Sequence, residues 1–242
     1  MNSFTYNGIR SSDLGLRIES KDVFSTPGYD TSFQSIPGRN GDLILPNGRY
    51  PNAQVAYSVF LPAKSLSELA DKITAVKAWL YTEPDRYHIL KDTYDTAYFR
   101  KAVYSGKLDI EDELNRIGVF TVSFSCLPFR YSEAGQNETV VESGGTLLNP
   151  APFSSAPYIR LEGSGKGTLT IQSASANEIW NFTGIDGYIE IDSEQMNFYK
   201  GAEPKNDTVT GSGFPMLHPG KNTLSYSGGI TKATVIPRWV ML

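Results

Sequence analysis

The chain has 242 residues, a formal charge of −4, and only 22 Lys and Arg residues in total. A protein whose main task is to hold DNA or RNA needs a field of basic residues to displace counterions, so specific nucleic-acid binding is excluded. A content of 40% hydrophobic and 20% charged residues belongs to folded domains rather than disordered tails, and no run reaches the ~18 apolar residues of a membrane span.

Cys126 is the single cysteine, which rules out an internal disulfide and a cysteine-rich zinc site. The N-terminal residues lack the basic-then-apolar pattern of a secretion signal, so synthesis in a cytoplasm is expected. The 22 Gly and 14 Pro, with 14 Tyr and 12 Phe, predict many turns between short strands.

In chain order, Phe4–Tyr6 and Leu14–Ile18 are strand candidates on either side of Asn7-Gly8. Ile36-Pro37-Gly38-Arg39-Asn40-Gly41 is dense in turn formers. From Ala53 to Leu61, Val55, Tyr57, Val59 and Leu61 alternate onto one face, as a half-buried strand requires. Ser65 to Leu80 is the single predicted helix. Ser65 and Glu68 have the spacing of a capping box, and Leu69, Ile73, Val76 and Leu80 form one apolar stripe. Tyr87–Leu90, Tyr98–Tyr104 and Arg116–Leu127 read as further strands, with Phe120, Val122, Phe124 and Cys126 on a shared face. Residues 128–157, rich in Pro and Gly, read as a junction with one strand near Thr139–Val141. The remainder reads as seven short strands: 158–161, 167–172, 178–182, 187–192, 196–199, 221–226 and 231–238.

The fold class is therefore mainly β. A β-rich α+β first domain with one helix spans 1–131, a linker covers about 132–139, and an antiparallel β-sandwich occupies 140–242. The last strand is free to return to the first domain.

No catalytic constellation stands out. Gly163-Ser164-Gly165-Lys166-Gly167-Thr168 looks like a phosphate loop but has the wrong spacing and precedes a strand pattern, so a hairpin turn is expected there. His88 and His218 sit apart, in no metal-binding spacing, and no Gly-x-Ser-x-Gly elbow accompanies them. Glu111-Asp112-Glu113 reads as a solvated loop rather than an acid–base pair. Trp180 and Trp239 are either sandwich core or, if exposed, sugar-stacking platforms. No enzyme activity, metal site or cofactor is expected.

The order of motifs resembles the distal tail proteins of siphoviruses. Phe4-Thr5-Tyr6, Ser11-Ser12-Asp13-Leu14-Gly15-Leu16, Ile36–Gly41, the helix, and Cys126-Leu127-Pro128-Phe129-Arg130-Tyr131 follow one another as in that family. In the second half so do Ile189-Glu190-Ile191-Asp192, Phe214-Pro215, Pro219-Gly220-Lys221-Asn222 and Pro237-Arg238-Trp239.

The resemblance implies a structural ring component of a long-tailed bacteriophage or prophage. Its first domain would close a homo-hexameric hub around a channel, and its second would be a galectin-like sandwich. The implied partners are the tail tube protein and the tail-associated tip protein, with receptor-binding and tape measure proteins as further candidates. The implied location is the virion tail tip. Within the first domain, the segments carrying Arg39, Asn40, Arg49 and Tyr50 are the candidate ring interface, because Arg and Tyr favour interfaces. Ordinary solvated turns are the alternative for Arg39 and Arg49. A carbohydrate-binding sandwich for host-surface glycans is the competing function. It accounts for the second half but not for Ile36–Gly41 and the helix.

Overall fold

The computed structural model describes residues 2–113 and 116–242. The chain divides into two compact units, residues 1–130 with Leu242, and residues 131–241.

The first unit contains β1 (Phe4–Tyr6), β2 (Ile9–Arg10), β3 (Arg17–Asp22), β4 (Thr31–Gln34), β5 (Leu43–Pro46), β6 (Ala53–Pro62), α1 (Leu66–Leu80), β7 (His88–Asp92), β8 (Tyr98–Tyr104), β9 (Glu111–Glu113) and β10 (Ile117–Cys126). Its antiparallel sheet runs β2-β1-β7-β8-β10-β6-β3, with β9 added to β10. The alternation of Val55, Tyr57, Val59 and Leu61 against Phe120, Val122, Phe124 and Cys126 places one buried face on two adjacent strands. Helix α1 covers that face through Leu69, Val76, Trp79 and Leu80.

Ser65 caps the helix, its Oγ accepting the Glu68 N–H at 3.2 Å. Glu68 reaches back one residue further than a capping box requires, accepting the Lys64 N–H. The Trp79 indole donates to the Tyr6 carbonyl at 2.9 Å and fixes the helix on β1. Leu14–Ile18 is not a strand. Residues Ser11–Leu14 form a 3-10 turn, because the Ser11 side chain is buried and accepts the Phe4 N–H, and β3 begins only at Arg17. The acidic run is likewise not a loop, since β9 pairs with Ile117, Gly118 and Val119, although Glu111 and Glu113 are solvated.

The second unit contains β12 (Thr139–Val141), β13 (Gly145–Asn149), β14 (Tyr158–Gln172), β15 (Asn177–Asp192), β16 (Asn197–Lys200), β17 (Glu203–Pro204), β18 (Val209–Gly211) and β19 (Gly220–Ile236). Preceding them is β11 (Arg130–Ser132), which pairs with the terminal β20 (Val240–Met241).

Six of the short strands expected from sequence are in fact three long ones. Residues 163–168 are not a hairpin turn, because β14 runs straight through them from Tyr158 to Gln172. Glycine breaks the hydrophobic alternation there without reversing the chain. Register shifts between Gly165 and Gly167 against β15, and on both sides of Gly163 against β19, bend β14. The approach is close: a Cβ on Gly229 would run into the Ser164 carbonyl oxygen, and one on Gly163 into the Gly229 carbonyl oxygen.

Each long strand thereby supplies both layers of a β-sandwich. One layer is β13, the early half of β19, the late half of β14, the early half of β15, and β18. The other is β12 and the remaining halves, followed by β16 and β17. Ile159, Leu161, Ile191 and Val235 from one layer and Leu169, Ile171, Trp180 and Leu224 from the other share one core.

Candidate assembly arm

β4 and β5 pair only with each other, as a ribbon separate from the main sheet. In it Thr31 faces Pro46, Ser32 faces Leu45, Phe33 faces Ile44 and Gln34 faces Leu43. Successive pairs point to opposite faces. Phe33 and Ile44 therefore lie on one side, and Leu43 and Leu45 on the other. All four are exposed, Phe33 by 65% and Ile44 by 59%. Ile36 in the connecting loop is exposed too. An isolated two-stranded ribbon is marginal in water, and scattered exposed apolar residues are ordinary, but this many on one ribbon make it a candidate interaction site.

The root of the arm is firmly tied. Asp30 N donates to the Arg49 carbonyl at 3.0 Å, and Asn47 N to the Asp30 carbonyl at 2.9 Å. The Asp30 carboxylate accepts Asn47 Nδ2 at 2.9 Å and Arg49 Nε at 2.7 Å. Those bonds, the one from Asn47 first, hold the Asp30 pKa below the ordinary carboxylate value. Beneath them Tyr50 packs edge-on between Tyr29, at 4.9 Å, and Phe129, at 5.7 Å.

Arg39 and Asn40 thus occupy the exposed loop of the arm, while Arg49 and Tyr50 sit at its root with partners in their own chain. Sequence reasoning found the loop but missed the two strands. Leu43-Ile44-Leu45 lacks alternation, and Asp30 and Arg49 are too far apart in sequence to be read as a pair.

Ser154 Oγ lies 3.0 Å from His218 Nδ1, a nucleophile–base spacing that sequence reasoning missed. The other ring nitrogen of His218 is buried with no hydrogen-bond partner, so no carboxylate orients the ring as a triad requires. His88 is 8% exposed, bonds the Glu83 carbonyl and packs edge-on against Tyr6. Among the described residues no group of three or more His, Cys, Asp or Glu could hold a metal ion. Trp180 and Trp239 are buried, and the Trp180 indole donates to the Gly213 carbonyl, so neither offers a sugar-stacking face.

Residues 9–126 match the family model of the phage tail protein RIFT-related domain. No curated protein sequence matches the chain. Among solved structures, the chain is similar to the Dit protein of phage SPP1, described as a paradigm of the hub adsorption apparatus in phages infecting Gram-positive bacteria. The TM-score is 0.81 at 13% identity over 100% of both chains. It is also similar to a chain of the phage P2 baseplate in its activated conformation with calcium, with a TM-score of 0.53 at 8% identity over 97% of each chain. The strontium form of that baseplate gives 0.50 at the same identity and coverage. The fold is Dit-like.

Proposed function

We propose that this chain is a phage tail protein and the hub of the tail tip, a reading supported by the match of residues 9–126 to the phage tail protein RIFT-related domain. In this reading six copies close into a ring that joins the tail tube to the tip and host-adsorption proteins, and the ring has no catalytic task. One observation carries the reading. The β4–β5 arm exposes apolar side chains on both of its faces, so covering one face still leaves the other in water. A surface of that kind is buried by another molecule, and a second copy of the chain is the partner that a closed ring provides. Head-to-tail contacts around a ring are heterologous, so each copy gives an arm on one side and receives one on the other. Arg39 and Asn40 fall at the contact, and Arg49 and Tyr50 hold the arm in its projecting pose.

The full-length chain should sediment as a concentration-dependent oligomer and show six-fold rings with a central channel in negative-stain images. A monomer up to high micromolar concentration, with no rings at tail tips, would sink the proposal. Turnover of peptidoglycan or host polysaccharide that disappears in Ser154→Ala and His218→Ala would overturn the non-enzymatic part.

A further inference from the structure

The first unit has a second surface feature that the sheet itself creates. On one side β10 pairs with β9 at Ile117, Gly118 and Val119, and with β8 at Phe124, Ser125 and Cys126. Between these two pairings the chain leaves the sheet, so, among the described residues, 120–123 of β10 have no partner strand on that side. The result is an open trough of about 450 Å³. Its floor carries the small polar side chains of Ser58, Thr121 and Ser123 beside the apolar Val119, and its Phe120 is 4% exposed. One wall carries Lys107, Asp109 and Glu111, and the other carries Glu19.

Glu19 enters the trough because of a local irregularity. The β3–β6 register skips between Ile18 and Ser20, which leaves Glu19 as the extra residue of a bulge. Bulges re-aim side chains and spoil an edge for strand pairing. The β3 edge is therefore a poor template for a neighbour's strand, while the trough beside it stays open. Lys107 and Asp109 pair with each other at 2.7 Å. The side-chain carboxylates of Glu19 and Glu111 have no ion-pair or hydrogen-bond partner among the described residues.

The trough repels polyanions, and its one aromatic ring is buried, so it offers a sugar nothing to stack on. It suits a narrow segment of polypeptide that presents a single exposed cation. The arm loop supplies one. Arg39 is exposed there without a side-chain partner among the described residues, in a loop whose neighbours are Gly38, Asn40 and Gly41. Asp42 follows on the same loop and has the sign that meets Lys107.

We infer that the trough between Glu19 and Glu111 is the seat of a neighbouring copy's arm loop, with that copy's Arg39 set between the two carboxylates. The inference rests on the ring reading above and specifies where the arm lands. Charge pairs of this kind at an interface fix register and exclude wrong docking more than they add affinity.

Charge exchange in the full-length chain tests it, read by sedimentation and negative-stain imaging. Arg39→Glu places three like charges together, and Glu19→Lys with Glu111→Lys does the same with the opposite sign. Each should weaken assembly by about tenfold or more, since like-charge contacts are strongly unfavourable. All three positions are exposed, so circular dichroism and melting should match the unsubstituted chain. Combining the three substitutions should restore rings. If the single-sided variants assemble normally while Phe33→Ser with Ile44→Ser does not, the trough assignment falls and the ring reading stands. If both single-sided variants fail and the combination fails too, the trough assignment is overturned. If even the unsubstituted chain stays monomeric, both fall.

Discussion

Arg238 grips Asp192 across 46 residues of sequence, with Nη1 donating to Oδ1 at 2.7 Å and Nη2 to Oδ2 at 2.9 Å. The backbone N–H groups of Glu194 and Gln195 donate to the same carboxylate. Arg238 sits at a φ of 54°, in the left-handed region that costs energy for a residue with a side chain. Its own N–H donates to the Gly135 carbonyl at 2.7 Å. The bidentate pair thus secures a strained turn that carries Trp239 into the sandwich core. Burial raises the Asp192 pKa, but the Arg238 guanidinium and the two backbone N–H groups outweigh it and hold the value below normal.

Arg238→Ala removes one partner of a mostly buried pair and should destabilise the sandwich by about 3 kcal/mol in urea unfolding. The folded pKa of Asp192 lies below its unfolded value. Its contribution is therefore complete above the unfolded value, roughly 3.9, and is lost as the pH falls through the folded one. Acid titration of stability should be steeper in the unsubstituted chain than in Arg238→Ala. Equal slopes would mean that the pair does not drive acid unfolding.

The glycine bend separates two kinds of glycine. Gly229→Ala drives a methyl into the Ser164 carbonyl and should cost at least ~3 kcal/mol or prevent folding of the second unit. Gly184 has nothing near its Cβ position and no positive φ. Gly184→Ala should leave stability within ~0.5 kcal/mol or raise it slightly. Melting curves of the two variants decide the matter, and similar losses in both would refute the close-approach argument.

Cys126 is fully buried beneath the first unit's sheet, and burial pushes its thiol up to about 12. Only the thiolate reacts, so alkylation in native buffer should be negligible from neutral to mildly alkaline pH and become rapid in denaturant. Fast native labelling would mean that the first unit opens readily.

Phe33→Ser with Ile44→Ser should abolish assembly yet leave melting of the monomer within about 0.5 kcal/mol, since neither side chain is buried in the chain itself. Trypsin offers an independent reading. The bond after Arg39 lies on an exposed loop and should be cut first in dilute protein. Protection at high concentration should parallel ring formation, and cleavage that ignores concentration would argue against arm burial.

The helix was legible because its signals are local: Ser65 and Glu68 cap it, and four apolar residues repeat at helical spacing. The strand at Ala53–Leu61 and the core placement of Cys126 were legible through period-two alternation. The bent strands were not. A window centred on Gly163–Gly167 or Gly228-Gly229 contains only turn formers, and continuity appears only when three strands bend side by side. The arm was half legible, its loop from Pro37-Gly38 and its root not at all, because Asp30, Arg49, Tyr50 and Phe129 meet only in three dimensions. The division at 1–131 and 140–242 remains a proposal for limited proteolysis with a protease that does not need Lys or Arg. Residues of the expected linker are hydrogen-bonded to the C-terminal segment, Ser132 N to the Trp239 carbonyl and Arg238 N to Gly135, which slows cleavage there.

Because β14, β15 and β19 each pass through both layers, the sandwich resembles one folded sheet rather than two stacked cards. Its layers cannot slide or part without breaking three strands at once, so a pull on one edge is borne by both. Extra sequence has nowhere to enter except at the strand ends, and the tight turn at Ser173–Ala176, closed by Ser173 N to the Ala176 carbonyl, is one such port. A module grafted there would ride on a rigid frame, its orientation set by the fold rather than by a hinge.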